Sequence, residues 1–120
     1  MSKITRIAMV SPRGVRMGDW EATEPGVRRK VLPPGKSLMM MLVAFDENAR
    51  GSEHSHVHEQ MSYCLEGSFE FVVGGKVSLL KAGENVSIPS GCVHGVKALE
   101  RGLLLDCFTP LREDILGSDS

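Results

Sequence analysis

The residues best suited to chemistry lie in two short, well separated segments. The first segment supplies His54, His56 and Gln60, and the second supplies His94. Nitrogen and oxygen donors bind a metal ion at about 2.0–2.2 Å, so all ligands of one ion must converge within a few ångströms. We therefore predict that these four side chains meet around one divalent transition metal ion. Ni, Zn, Fe, Mn and Cu all suit a nitrogen-rich site with one amide oxygen.

Strand geometry limits how the first three donors can meet. His54 and His56 are two residues apart, so on a strand they would project from the same face. Gln60 would lie about 13 Å from His56 on an uninterrupted strand, which is too far for a shared ion. We therefore expect the chain to turn at residues 57–59 and to bring Gln60 alongside. His58 lies within that turn, and we expect it to face solvent or to support the ligands.

A second group of candidate residues follows in the apolar segment near the C-terminus. Asp106 and Phe108 share one strand face, and Arg112 comes four residues after Phe108. A carboxylate in an apolar strand is costly to bury unless it is paired or has a task. Desolvation would raise its pKa towards values that are useful in acid–base catalysis. A structural pair between Asp106 and a nearby arginine is the alternative.

The elements that must position these residues are short strands. Nearly every segment is rich in Val, Leu, Met and Phe and ends at glycine or proline, without helical periodicity. We predict an all-β protein with strands at 4–10, 27–32, 37–45, 53–57, 60–66, 68–73, 76–80, 85–88, 93–99 and 102–108. So many short strands imply a closed barrel or a sandwich. The glycines at 74 and 75, between two alternating apolar runs, predict a two-residue hairpin turn.

Length and charge set the broad class. The 120 residues fit one domain, which we place at 1–120, with a tail at 113–120 that is a short helix or disordered. A net charge of −1 offers no overall field to attract nucleic acid or an anionic membrane. Early charges and the lack of a long apolar run argue against a signal peptide or a membrane span. Three widely spaced cysteines predict reduced thiols, and we expect a cytoplasmic protein.

Two segments bear on partners and on substrate contacts. The run at 37–45 is apolar on both strand faces, which indicates a core on one side and either a homodimer partner or more of the same chain on the other. Adjacent strand residues face opposite ways, so one of Arg28 and Arg29 must point inward, where it could contact an anion. Tyr63 could also reach the pocket with its hydroxyl group.

The metal-binding segments resemble the two motifs of the cupin family, over residues 51–98. The residues that match in type and spacing are His54, His56, Gln60, Gly67, Gly83, Pro89, Gly91 and His94. The commoner cupin pattern has a glutamate where this chain has Gln60, and the asparagine that ends the second motif is replaced by Ala98. The resemblance implies a single-domain cupin jelly-roll β-barrel with a metal ion inside its mouth. Because three imidazoles and one amide are uncharged, such an ion should favour a carboxylate as a further ligand.

A narrower resemblance extends over about residues 26–116, to the KdgF group of pectin-degradation cupins. Members of that group convert 4,5-unsaturated monouronates, released from pectin or alginate, into the linear 5-keto-4-deoxyuronate. The resemblance implies a metal-dependent, isomerase-type enzyme with a small anionic uronate as substrate and with Asp106, Phe108 and Arg112 as its catalytic residues. In this hypothesis Asp106 moves a proton, Arg112 clamps the substrate carboxylate and Phe108 packs on the sugar ring. The alternatives are a metal-dependent cupin dioxygenase and a non-catalytic module that binds a sugar or a carboxylate.

Overall fold

The structure, a computed structural model, describes residues 18–117. That part of the chain forms strands β1 Trp20–Glu24, β2 Val27–Val31, β3 Met39–Phe45, β4 Arg50–His54, β5 Glu59–Glu66, β6 Ser68–Val73, β7 Lys76–Lys81, β8 Asn85–Ile88, β9 His94–Ala98 and β10 Gly102–Thr109, and one helix, α1 Glu113–Leu116. The predicted all-β class is therefore confirmed. No helix between residues 18 and 117 is both long and apolar enough to cross a membrane.

The strands form two antiparallel sheets that share one core. The larger sheet has the order β1-β2-β3-β10-β5-β8, and the smaller has the order β4-β9-β6-β7. Phe69 and Phe71 from the smaller sheet and Phe108 from the larger one are among the largest fully buried side chains, and they belong to the same hydrophobic cluster. Burial of these apolar faces supplies the main driving force for closing the two sheets on each other. The arrangement is the predicted jelly-roll barrel.

Most predicted strands match observed ones to within two residues, with three exceptions. The strand expected at 4–10 lies outside the described residues. Strand β1 was not expected, because its polar sequence lacks an apolar alternation. Strand β4 ends at His54, which pairs with His94 of β9, and not at residue 57 as predicted. The expectation that His54 and His56 share a strand face is therefore wrong, because His56 lies beyond the end of the strand.

Glycines fix two local features of the barrel. Gly74 and Gly75 both have positive φ values, 57° and 81°, and join β6 to β7 in the predicted two-residue turn. Gly102 begins β10, where a Cβ atom would lie only 2.7 Å from the carbonyl oxygen of Glu66 and from the ring of Phe69. No larger residue fits there without displacing its neighbours, so Gly102 fixes the start of β10.

Strand β10 is central because it pairs with both β3 and β5. Its side chains alternate strictly, so that Asp106 and Phe108 point into the barrel while Leu105 and Cys107 point outward. The outward residues lie beside those of β3 and β5 and form an apolar surface, here called the outer face: Met40, Leu42, Met61, Tyr63, Leu65, Leu105 and Cys107. One strand thus serves the interior and the outer face together.

After β10 the chain returns across the barrel through a short helical turn. Helix α1 is only four residues long, and it buries Ile115 and Leu116. This matches the short helix expected at the start of the tail. Residues 118–120 lie outside the described part of the chain.

Candidate metal centre and the adjoining cavity

Three imidazoles converge at one end of the barrel. The potential ligand atoms of His54, His56 and His94 all lie within 4.8 Å of one another. His54 and His94 are cross-strand neighbours, with ring centroids 4.4 Å apart. His56 approaches from the segment that leaves β4, and its ring centroid lies 5.0 Å from that of His94. The chain bends at residues 57–58, as the spacing argument required.

All three imidazoles are oriented by the main chain. Their Nδ1 atoms lie 2.8, 3.0 and 2.9 Å from the carbonyl oxygens of Ser52, His58 and Cys92, respectively. A carbonyl oxygen can only accept a hydrogen bond, so each Nδ1 carries the proton and each Nε2 keeps its lone pair. Metal-binding histidines are typically held in this way. The Nε2 atom of His94 is buried and has no hydrogen-bond partner between residues 18 and 117, which fits a ligand atom.

Gln60 adds an oxygen donor to the three nitrogens. It is buried on the inward face of β5, whereas its neighbour Glu59 is exposed. The Gln60 Nε2 group donates to the Ser62 hydroxyl at 2.9 Å, which turns Oε1 towards the histidines. Gln60 Oε1 lies 3.0 Å from His56 Nε2. Two acceptor atoms repel at this distance unless a cation or a proton lies between them. Two neighbouring ligands of an octahedral ion, each bound at about 2.1 Å, are also about 3.0 Å apart, so the observed distance suits two ligands of one ion.

The electrostatic environment keeps the histidines in the form that binds metals. Burial is the main cause that lowers the pKa of His94. Burial also lowers the pKa of His56, and the positive charge of Arg112 adds to the effect. Both rings are therefore neutral near pH 7, as a metal ligand must be.

Three of the four donors, His54, Gln60 and His94, line a cavity that is open to solvent. Its wall also contains Asp106, Phe108 and Arg112, so the two groups of residues singled out in the sequence face one space. Phe108 is the member of the second group that contacts the histidines, and its ring centroid lies 5.8 Å from that of His56. A small polar molecule in this cavity could therefore contact both groups at once.

Asp106 is the most unusual titratable group of the site. Its side chain is buried, and desolvation raises the pKa of Asp106 to about 6, against the opposing effects of a hydrogen bond with Ser62 and of the Arg112 charge. The Asp106 Oδ1 atom is buried and has no partner within the described range 18–117. Buried polar atoms are rarely left unpaired without a reason. One carboxyl oxygen of Asp106 is thus left without a protein partner among the described residues, in a residue that lines the cavity.

Arg112 is held from two sides. Its guanidinium lies over the Phe108 ring at 5.0 Å from the centroid, within the range of a cation–π contact. Its Nε and Nη2 donate to the Asp114 carboxylate at 3.1 and 2.8 Å. These bonds lower the pKa of Asp114. A substrate carboxylate would therefore meet the other edge of the guanidinium, formed by Nη1 and Nη2.

The remaining candidates from the sequence fall on different sides of the barrel wall. Arg29 shares the inward face of β2 with two buried valines and lines the cavity, whereas Arg28 points outward and pairs with Asp46 at 3.4 Å. Tyr63 is exposed on the outer face, so it does not reach the cavity. His58 stands outside the three-histidine cluster and contributes its carbonyl oxygen to His56.

Three residues near the site were missed in the sequence. Ser62 could have been found, because it shares its inward parity on β5 with Gln60. Glu24 lines the cavity and accepts hydrogen bonds from the backbone and the hydroxyl group of Ser52. Glu24 does not follow from local spacing, because tertiary packing brings it to Ser52, whereas Asp114 is only two residues from its partner Arg112 and could have been found.

Comparison with known proteins gives three concordant results. The cupin domain family matches residues 41–105. The pectin degradation protein KdgF of Dickeya dadantii (strain 3937) is 39% identical over 99 residues, which cover 81% of this chain and 90% of that protein.

Solved structures agree with the sequence matches. The structure of KdgF from Halomonas sp. superposes on this chain with a TM-score of 0.78 at 38% identity. The match covers 82% of this chain and 91% of the Halomonas chain. An RmlC-like cupin from Shewanella frigidimarina NCIMB 400 has a TM-score of 0.77 at 36% identity and covers 81% and 87% of the two chains.

Proposed function

Because this chain belongs to the cupin family and within it to the KdgF group, we propose that it is a metal-dependent enzyme that opens the ring of 4,5-unsaturated monouronates to give the linear 5-keto-4-deoxyuronate. The pectin-degradation role of the Dickeya relative supports a uronate substrate. The observation that carries the proposal is the buried Asp106 carboxyl group, which lines the same cavity as the candidate metal centre and has one oxygen without a partner in residues 18–117.

The reaction is a proton transfer that accompanies cleavage of one bond. The ring oxygen of a 4,5-unsaturated uronate belongs to an enol ether. Loss of the proton from the anomeric hydroxyl group lets a carbonyl form at C1 while the bond between C1 and the ring oxygen breaks. The electron pair of that bond stays on the ring oxygen and gives an enolate at C5, which becomes a ketone when C4 takes up the proton. The overall change is an isomerisation and needs no oxidant.

Asp106 suits both proton transfers. Its desolvated carboxyl group, with a pKa of about 6, is a stronger base than an ordinary aspartate and remains a usable acid near neutral pH. In the proposal, Asp106 Oδ1 accepts the anomeric proton and returns a proton to C4. Ser62, the cross-strand neighbour of Asp106, would hold the second carboxyl oxygen.

Arg112 and Phe108 would bind and orient the substrate. The free edge of the Arg112 guanidinium offers two parallel N–H donors to the uronate carboxylate. The Phe108 ring lies between Arg112 and His56 and provides an apolar surface for the sugar ring. Arg29, which also lines the cavity and is paired with Glu21 at 2.6 Å, would give a second positively charged contact for the anionic substrate.

His54, His56, Gln60 and His94 would hold the divalent ion. Because these ligands are uncharged, a bound ion would supply uncompensated positive charge to the substrate carboxylate or to the C5 enolate. The donor set is compatible with Ni, Zn, Fe, Mn or Cu. The residues of the chain thus provide a proton carrier, an anion clamp and an ordered set of neutral ligands around one cavity.

The direct test uses unsaturated galacturonate. Its C4=C5 double bond is conjugated with the carboxylate and absorbs in the ultraviolet, so ring opening and ketonisation remove the band. We expect rapid loss of the band with the metal-loaded protein, and a rate at least about a hundredfold lower with Asp106→Ala or Arg112→Ala. Oxygen consumption, measured in the same reaction, should be zero and would be the mark of a dioxygenase. A rate equal to that in buffer, unaffected by either substitution, would refute the proposed activity.

We also propose that the protein is a homodimer that pairs through the outer face. Met40, Met61 and Tyr63 on this face are 42%, 47% and 41% exposed; Met40 on β3 and Met61 on β5 lie on either side of Cys107 of β10, and Tyr63 is two residues from Met61. A self-complementary apolar surface of this kind suits a two-fold interface. Light scattering should give twice the chain mass for the wild type and the single chain mass for Met40→Glu. A wild-type protein of single chain mass would contradict the assignment.

A further inference from the structure

A buried polar connection links the candidate metal centre to the catalytic carboxyl group. Gln60 and Ser62 share the inward face of β5, and Ser62 is paired directly with Asp106 on β10. The three side chains are 6%, 0% and 7% exposed. Their contacts are therefore shielded from water, where hydrogen bonds are directional and costly to leave unmade.

The direction of each hydrogen bond is fixed by chemistry. The Gln60 Nε2 group can only donate, so the Ser62 oxygen accepts at 2.9 Å. The single hydrogen of the Ser62 hydroxyl group is then free to be donated towards Asp106, its cross-strand partner, and this interaction opposes the rise in the pKa of Asp106. The order is Gln60 to Ser62 to Asp106, and it ends with Oδ1 of Asp106 as the carboxyl oxygen that lacks a protein partner in the described residues.

From this geometry we propose that Ser62 is a positioning residue that fixes the orientations of the Gln60 carboxamide and the Asp106 carboxyl group relative to each other. Ser62 turns the amide so that its oxygen faces the histidines, and it occupies one carboxyl oxygen so that the other faces the cavity. The inference rests on the proposed function for the role of Asp106, and on the contacts alone for the role towards Gln60.

The same connection accounts for glutamine at position 60, where the commoner cupin pattern has glutamate. A glutamate carboxylate has no N–H to donate, so it would compete with Asp106 for the single hydrogen of Ser62. It would also place a second negative charge close to a buried carboxyl group, which opposes ionisation of Asp106. Glutamine supplies a donor and adds no charge.

The experiment compares Ser62→Ala with Ser62→Thr, which restores the hydroxyl group, and with Cys64→Ala as the matched control. Cys64 is two residues further along the same inward face and is also fully buried, but it lies outside the connection. The first measurement is the affinity for Ni²⁺ or Zn²⁺, by competition with a chromophoric chelator. We expect about tenfold weaker binding for Ser62→Ala, near wild-type binding for Cys64→Ala, and recovery for Ser62→Thr.

The second measurement is the kinetics with unsaturated galacturonate at saturating metal. Ser62→Ala should lower kcat about ten- to a hundredfold with less than about a twofold change in KM, because a misdirected carboxyl group slows proton transfer without weakening binding. Gln60→Glu should lower kcat while it retains or increases metal affinity. The two substitutions together should cost no more than the larger single effect, because both break the same connection.

The outcomes separate this inference from the proposed function. If Ser62→Ala matches Cys64→Ala in metal affinity and kcat, or if the losses of Ser62→Ala and Gln60→Glu multiply, Ser62 has no positioning role. If the wild type has no activity on unsaturated galacturonate, the proposed function fails. The affinity comparison then still decides whether Ser62 orients Gln60.

Discussion

Replacing the buried Asp106 by asparagine should stabilise the metal-free protein at neutral pH while it abolishes activity. Desolvation raises the pKa of this carboxyl group from 3.8 to about 6 in the folded protein. The unfolded chain therefore ionises at a lower pH than the folded one, and ionisation favours unfolding. The stability contributed by the neutral carboxyl group is fully present below pH 3.8 and is lost as the pH rises through about 6.

The size of the loss follows from the shift. A difference of roughly two pKa units corresponds to about 3 kcal/mol of unfolding free energy. About 2 kcal/mol of this should be lost between about pH 4.5 and about pH 7.5 in the wild type, because ionisation of the unfolded state has already begun at the lower pH. Asparagine cannot ionise, so Asp106→Asn should escape this loss. Its buried NH₂ group adds a cost that is the same at every pH and cancels from the comparison.

The assay is urea unfolding in the presence of a chelator, for both proteins, at several pH values across this range. The free energy of unfolding of Asp106→Asn minus that of the wild type should increase by about 2 kcal/mol from the acidic to the neutral end. Asp46→Asn, at a carboxylate that is 61% exposed, is the control for the effect of replacing an aspartate that is not buried. A difference for Asp106→Asn that is flat, or that falls as the pH rises, would refute the argument that burial disfavours the charged form.

Three further predictions concern the ligands and the anion contacts. Added Ni²⁺ or Zn²⁺ at about a hundred times its dissociation constant should raise the free energy of unfolding by about 2.7 kcal/mol, as measured by urea unfolding, and His94→Ala should abolish the increase. A metal response that persists in His94→Ala would contradict the assigned donor set. Asp114→Asn should raise KM for the uronate about three- to tenfold with little change in kcat, because Arg112 loses the carboxylate that fixes its orientation, and Asp114→Glu should recover part of the affinity. Equal losses in kcat and kcat/KM would instead place Asp114 in the chemical step. Arg29→Gln should raise KM about tenfold while the outward-facing Arg28→Gln stays near the wild type in steady-state kinetics, and the reverse order would mean that the substrate does not contact this wall.

The sequence was informative where residue type and strand parity act together. Parity placed Gln60 inward and Glu59 outward, and the two glycines at 74 and 75 predicted a hairpin turn with positive φ values at both positions, as observed. The same reasoning required a bend near residue 58. These features depend on local geometry, which a short stretch of sequence contains.

Features that depend on distant partners could not be read in this way. Strand β1 is polar, and it forms because its backbone pairs with β2. The end of β4 is set by the cross-strand contact between His54 and His94, which no local pattern specifies. The partners of Arg112, Asp114 and Phe108, are near in sequence, but their spacing alone does not show which edge of the guanidinium each of them occupies.

The close packing at Gly102 has a consequence for changes in chain length. A single residue inserted between Gly102 and Asp106 would rotate every later side chain of β10 to the opposite side of the sheet. The acid would then project among the methionines of the outer face, and a leucine would take its place beside Ser62. Neither composition nor hydrophobicity would reveal the damage. Natural or engineered variants that keep the activity should therefore conserve the length of this short segment more strictly than the identity of its apolar residues.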